Sequence, residues 1–407
     1  MRVFGSDKAD NITIDGVTVD FISTGTGDDE ITLKNGAKIT NDINTGDGKD
    51  TISIDGEGTI VKGDIFTNDG ADTITMTNKS TVDGNINTGD GDDVINMDGE
   101  AKVGASIYGR DGDDYITLDN KSILGKKIKV MGDDGKEREV AVSGNIEAGK
   151  GAGEIKILGG SLIEKEIRSG IEREIVEKGD TQDNHNFAGN VKVTIKDSVV
   201  NQSLDLNGLG DREITLDNST VHGTIYAGHY SDSKITVKDS KVGFKIIGEG
   251  GKDTIIVDNS TIGANPKFKD ESSSVVLGDG GGFNDGDDTI EIKNNSIIQG
   301  GVEGGGGKDT ITVSGKSTVV KDKVSGGEGD DTINVEEGAN VYYEKITPVY
   351  KDVYTGPKPD NLLPEPDLPD IYSDEEYEEF SKKGMKYGST TTKFGKNFLK
   401  PILIKTT

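Results

Sequence analysis

Pairs of aliphatic residues separated by one polar residue recur along most of the chain, as in Ile31-Thr32-Leu33, Ile74-Thr75-Met76 and Ile214-Thr215-Leu216. A period of two puts both aliphatics on one side of an extended segment, so each run predicts a short strand with one buried face. A turn follows, and its second residue is Asn, Gly or Asp: Asn35, Gly56, Asn78, Gly99, Asn120, Asn218, Asp239, Asn259, Asn294 and Gly315. These types tolerate a left-handed backbone, so one tight corner is expected to repeat. Asn side chains stacked at such a corner could also hydrogen-bond from copy to copy as a ladder. A second short strand then supplies Ile39, Val82, Ile123, Val221 or Ile262, and a third supplies Ile43, Ile65, Ile86, Ile107 or Ile225.

The copies keep a fixed spacing. Aligned on the residue two before the first strand aliphatic, they read Asp10, Asp29, Asp50, Asp72, Asp93, Asp114, Gly153, Val191, Arg212, Ser233, Asp253, Asp288, Asp309 and Asp331. The early steps are 19, 21, 22, 21 and 21 residues, and three long steps of 39, 38 and 35 mark insertions. A repeat near 21 residues is the signature of a solenoid. The expected fold is therefore all-β, a parallel β-helix or β-roll of about fourteen coils over residues 1–344. At ~4.8 Å per coil the stack would be about 65 Å long.

Three stretches break the regularity. Residues 126–143 read as a charged excursion, a β-hairpin around Gly132-Asp133-Asp134-Gly135. In the insertion at 161–188, Ile163, Ile167, Ile171 and Ile175 fall at i, i+4 spacing over residues 161–178, which predicts an amphipathic helix capped by Ser161 and lying on the solenoid flank. Residues 264–285 read as a polar loop rich in Ser and Gly. Beyond the repeats, Pro348, Pro357, Pro359, Pro364, Pro366 and Pro369 predict an extended linker over 345–372. A tail over 373–407 follows. Ser373 and the acids after it could open a short helix, and the basic, partly apolar Lys393–Thr407 could cap the last coil or serve as a secretion or docking segment.

Composition narrows the function classes. The formal charge of −28 argues against nucleic acid and anionic membrane as partners and fits a cation-loaded surface. The chain has no Cys, so neither a disulfide framework nor thiol chemistry is available. No apolar run approaches the ~20 residues of a transmembrane segment. Met1 to Asp7 runs directly into the first repeat, with no cleavable secretory signal visible.

The loop between repeats carries the candidate chemistry. Gly-x-Gly-x-Asp-x-Ile occurs at Gly25/Gly27/Asp29/Ile31, Gly46/Gly48/Asp50/Ile52, Gly89/Gly91/Asp93/Ile95, Gly305/Gly307/Asp309/Ile311 and Gly327/Gly329/Asp331/Ile333. Near matches keep the second Gly and the Asp at Gly70/Asp72, Gly112/Asp114, Gly251/Asp253 and Gly286/Asp288. This resembles the nonapeptide repeat of RTX (haemolysin-type) proteins, Gly-Gly-x-Gly-x-Asp-x-apolar-x. The resemblance implies Ca2+ held by the motif Asp and by loop carbonyls between successive coils. It further implies bacterial origin, secretion or display at the cell surface, and signal-sequence-free export that reads the C-terminal segment. Unlike the family's gapless nonapeptides, each period here has one Gly-Asp loop, so one column of calcium sites is expected along one edge. Those sites should form two blocks, near Asp29–Asp114 and Asp253–Asp331. The alternative is that the loops are polar turns that hold no metal.

No enzyme signature is found: no Gly-x-Ser-x-Gly, no His-Glu-x-x-His and no Walker loop. His185, His222 and His229 are the only histidines, and by alternation His222 faces solvent. The leading expectation is a structural or adhesive module whose partners are calcium, surface glycans or other copies of itself. A carbohydrate-active β-helix enzyme is the runner-up, with its groove near Arg168, Arg173, Arg212 and His229. A filament or surface-layer subunit is the third reading.

Overall fold

Three strands and one loop close each coil. In a representative coil the first strand is Thr51–Asp55, the second Ile60–Val61 and the third Ile65–Phe66, after which the loop leads to the next first strand, Thr73–Thr77. The computed structural model describes residues 1–131, 137–169, 189–206, 208–228, 232–265, 274–279 and 286–341. Stacked coils form three parallel sheets, each of 14 strands, around one core. Register keeps like over like: Ile31, Ile52, Ile74, Ile95 and Ile116 pair in succession and are buried. Among the described residues there is no helix, hence none long and apolar enough to cross a membrane.

All ten turn residues read from the sequence have positive φ, from Asn218 at 47° to Gly56 at 96°. The turn reading holds, and the coil-to-coil bonds of the corner run from Asn to Asp in place of an Asn-on-Asn ladder. The Asn78 side-chain amide donates to Asp55 of the preceding coil at 2.7 Å, and Asn218 donates to Asp197 likewise at 2.7 Å.

Three expectations need correction. In the strand Ile123–Leu124 it is Leu124 that is buried, because it pairs in register with Val103 of the preceding coil, and Ile123 turns outward. Residues 161–169 are not helical: Ile163 and Ile167 sit in the strands Leu162–Ile163 and Ile167–Arg168. Their spacing of four is the corner between second and third strands, which separates Val61 from Ile65 and Val221 from Ile225 in the same way. The helical period was a repeat feature, and residues 170–178 lie outside the described residues. Finally, 264–285 is not one loop, since Ser274–Leu277 supplies a third-sheet strand with Val276 buried. The excursion at 126–143 is the expected antiparallel hairpin, Lys127–Met131 with Glu137–Ala141, tied at its root by Lys127 to Glu164 at 3.0 Å. The linker at 345–372 and the tail at 373–407 lie outside the described residues.

Candidate functional site

The Gly-Asp loops stack along the edge between the third and first sheets, and coil spacing dictates their glycines. A Cβ at Gly48 would lie 2.0 Å from Gly27 O, and one at Gly91 would lie 1.5 Å from Gly70 O. The outer glycines behave alike: Gly46 faces Gly25 O, Gly89 faces Asn68 O and Gly327 faces Gly305 O. Gly307 and Gly329 continue the inner row above Gly286. The inner row also persists through the middle of the stack, where a Cβ at Gly210 would lie 2.6 Å from Gly189 O. The loops before Asp10 and Ser233 carry Lys8 and Ser231 at this position. Where glycine occupies this row, close approach of successive loops calls for it beneath Asp and Arg columns alike.

The column residue varies independently. Asp29, Asp50, Asp72, Asp93, Asp114, Asp253, Asp288, Asp309 and Asp331 are all buried. In each, Oδ1 accepts the backbone N–H of the preceding coil's column residue, as in Asp50 N to Asp72 Oδ1 at 2.7 Å and Asp253 N to Asp288 Oδ1 at 2.7 Å. Oδ2 of Asp29, Asp50, Asp72, Asp93, Asp114, Asp253, Asp288 and Asp309 is buried with no donor. An ionised carboxylate accepts through both oxygens, so half of each group is left unsatisfied. Burial, and after it the charge of neighbouring acids, pushes these carboxyls up: Asp93 to about 6, Asp72 and Asp309 to about 7, and Asp114, Asp253 and Asp288 to about 8. Burial raises Asp50 and Asp331 as well.

What Oδ2 faces depends on the residue two after the buried third-strand aliphatic, which in loops of regular length is five before the column acid. Thr45, Thr67 and Thr88 lie against Asp50, Asp72 and Asp93 and hold them lower than burial alone would. The single Thr67 hydroxyl hydrogen is committed to Thr88 O at 2.8 Å, so it relieves Asp72 as a nearby dipole and leaves Oδ2 without a donor. The Asp29 coil carries Thr24 here, and the coils of Asp114, Asp253, Asp288, Asp309 and Asp331 carry Gly. A Cβ at Gly278 would lie 2.0 Å from Asp288 Oδ2 and 2.4 Å from Gly304 O, so an acid oxygen and the next coil's carbonyl face one small gap. Gly304, between Asp309 Oδ2 and Gly326 O, repeats the arrangement.

The Asp-poor middle shows what such a loop can hold. Gly153, Val191, Arg212 and Ser233 occupy the column in the expected register. Arg212 is 2% exposed, and its guanidinium donates to Leu206 O at 2.9 Å, Gly189 O at 2.8 Å and Gly210 O. Burial lowers its pKa to about 10, which still leaves it cationic at neutral pH. Carbonyls of two successive loops thus converge on a positive charge.

Sequence reading missed the Thr/Gly alternation and Asp279. Asp279 is buried, accepts Gly306 N–H at 2.9 Å and adds negative charge beside Asp253, Asp288 and Asp309. Its position inside a segment read as an insertion concealed it. Among the described residues no three Asp, Glu or His side chains converge, so a metal here would draw most of its oxygens from the backbone. Of the residues proposed for a catalytic groove, the two described, Arg168 and Arg212, do not share a surface. Arg212 is buried in its loop, and Arg168 pairs with Glu166 on an outer face. His222 is exposed, as expected, and Arg173, His185 and His229 lie outside the described residues. No family model, curated protein or solved structure matches the chain.

Proposed function

We propose that the chain is a calcium-stabilised structural and adhesive β-solenoid of RTX-like character, working outside the cell. The observation that carries this reading is the row of buried column carboxylates with a donor-free Oδ2. A buried, half-satisfied acid is destabilising unless it is protonated or given a cation. Calcium is a hard ion that takes roughly 6–8 oxygens, and carboxylate plus loop carbonyls is the donor set it prefers. Asp72, Asp93 and Asp114 would hold it in the first block, and Asp253, Asp288 and Asp309 in the second. When bound, the ion supplies charge neutralisation between loops. The chain's own residues do the rest: Oδ1 fixes each carboxylate to the preceding coil, and glycine lets the loops approach.

Sites with few charged ligands are typically weak, on the order of 10⁻⁴–10⁻³ M, which suits an extracellular setting where calcium is plentiful. The expected outcome of calorimetric titration is calcium uptake at several sites per chain, reduced in the triple variant Asp72→Asn, Asp93→Asn, Asp114→Asn. A wild-type chain that takes up no calcium at millimolar concentration would sink the reading. Unchanged uptake by the triple variant would remove the first block from it.

A further inference from the structure

We propose that the Arg212 guanidinium is a built-in cation that replaces a metal in its loop, making the surrounding coils a metal-independent folding nucleus. The inference rests on the calcium reading above.

Asp and Arg occupy the same column position with opposite charge. In the Asp coils the loop presents an acid oxygen without a donor, whereas in the Arg212 coil the same ring presents carbonyls to a positive group. The charge that flanking loops must take from solution is here attached covalently. It cannot be chelated.

The surrounding coils are also complete in other respects. Their first strands, Val191–Lys196, Arg212–Asp217 and Ser233–Lys238, span six residues where others have four or five. Their outer face alternates in charge, with Lys192 lying 3.9 Å from Glu154 and 3.5 Å from Glu213, and Lys234 4.0 Å from Glu213. At the inner corner the middle coils share a serine row that continues through Ser260 and Ser296 into the Asp253 and Asp288 coils. Ser198 N–H donates to Ser219 Oγ at 3.2 Å and Ser219 N–H to Ser240 Oγ at 2.9 Å. Each hydroxyl in turn donates to its own coil's backbone, Ser219 to Asp217 O at 2.8 Å and Ser240 to Lys238 O at 2.6 Å. Val191 in the column brings no charge into the interior. In a stack where each coil contacts only its neighbours, stability is a local sum, so a self-sufficient stretch can stay folded while its flanks open.

The test is hydrogen exchange read by mass spectrometry on the full chain at neutral pH, with chelator and with millimolar calcium. In chelator, wild-type amides over 191–221 should exchange about a hundredfold more slowly than those over 45–97, and calcium should close that difference. Arg212→Gln should abolish the middle's protection in chelator. Arg212→Asp should lose protection in chelator and regain it in calcium, a gain of metal dependence that a merely damaged loop would not show. Middle amides exchanging as fast as the flanks in chelator, with calcium protecting both, would overturn the nucleus and leave the calcium reading standing. Protection retained in chelator by Arg212→Gln would overturn the role given to the guanidinium. Equal protection of all coils with and without calcium would remove the calcium reading, and the inference with it.

Discussion

The coil of Asp93 and the coil of Arg212 share a backbone but solve the loop interior differently. Both have glycine beneath the close carbonyl of the preceding coil, a left-handed Asn or Gly at the turn, and isoleucine facing the core. In one the column side chain is an acid whose second oxygen has no donor, and in the other it is a cation ringed by carbonyls. The shared features are therefore those of the stack, and the column residue decides whether a coil buries an acid oxygen without a donor or a cation ringed by carbonyls. A Gly-rich loop by itself reports close packing, and under the proposed calcium reading the column acid is the group that would recruit an ion.

The largest expected effect on this contrast is that of pH without metal. Column carboxyls raised to about 6 to 8 bind their protons more tightly folded than unfolded. That contribution is complete below the unfolded value near ~4 and is lost as pH rises through the folded values. In chelator, circular dichroism should record loss of flanking β structure between about pH 5 and pH 8, and calcium should flatten the profile. A profile that rises with pH in chelator would contradict the burial of these acids.

Glycine substitutions should not respect the contrast at all. Gly91→Ala and Gly210→Ala each force a Cβ toward a carbonyl of the preceding coil, at 1.5 Å and 2.6 Å. Each should cost roughly 2–4 kcal/mol in denaturant unfolding, with or without calcium. An effect of Gly91→Ala seen only with calcium would mean that the glycine serves the ion and not the stack.

Asp288→Asn should separate the two needs of a column acid. The amide oxygen can keep the bond from Asp253 N–H, and the amide nitrogen can donate to Gly304 O across the gap. The metal-free protein should gain about 1 kcal/mol, and its calcium-induced shift should shrink. Loss of stability in chelator would show that the gap is not open to a donor.

The smallest effect belongs to the corner ladder. Asn218→Ala removes a bond to Asp197 and puts alanine at φ 47°, costing roughly 1–2 kcal/mol in either buffer.

Much of this was legible before the structure. Alternation around Thr32, Thr75 and Thr215 identified the first strands, and the Asn/Gly positions located the corner, because both obey strict local rules. Ile123-Leu124 misled because two adjacent aliphatics satisfy either phase, and only register against Val103 chooses between them. Ile163 and Ile167 misled because a β-corner spacing of four equals a helical one. At the site, the column acids and their replacement by Arg212 were visible as a pattern. That Oδ1 is bound to backbone while Oδ2 is left over, and that Thr67 or Gly278 shapes the gap, depends on contacts between coils that no local window contains.

The most direct measurement is thermal unfolding of the full chain at neutral pH, in chelator and in millimolar calcium. Each independent site at a hundredfold excess over its dissociation constant adds about 2.7 kcal/mol, so several sites should raise the flanking transition by many degrees. The middle transition should move far less. Identical melting curves in the two buffers would mean that the loops are polar turns with protonated acids, and that the stack needs no ion.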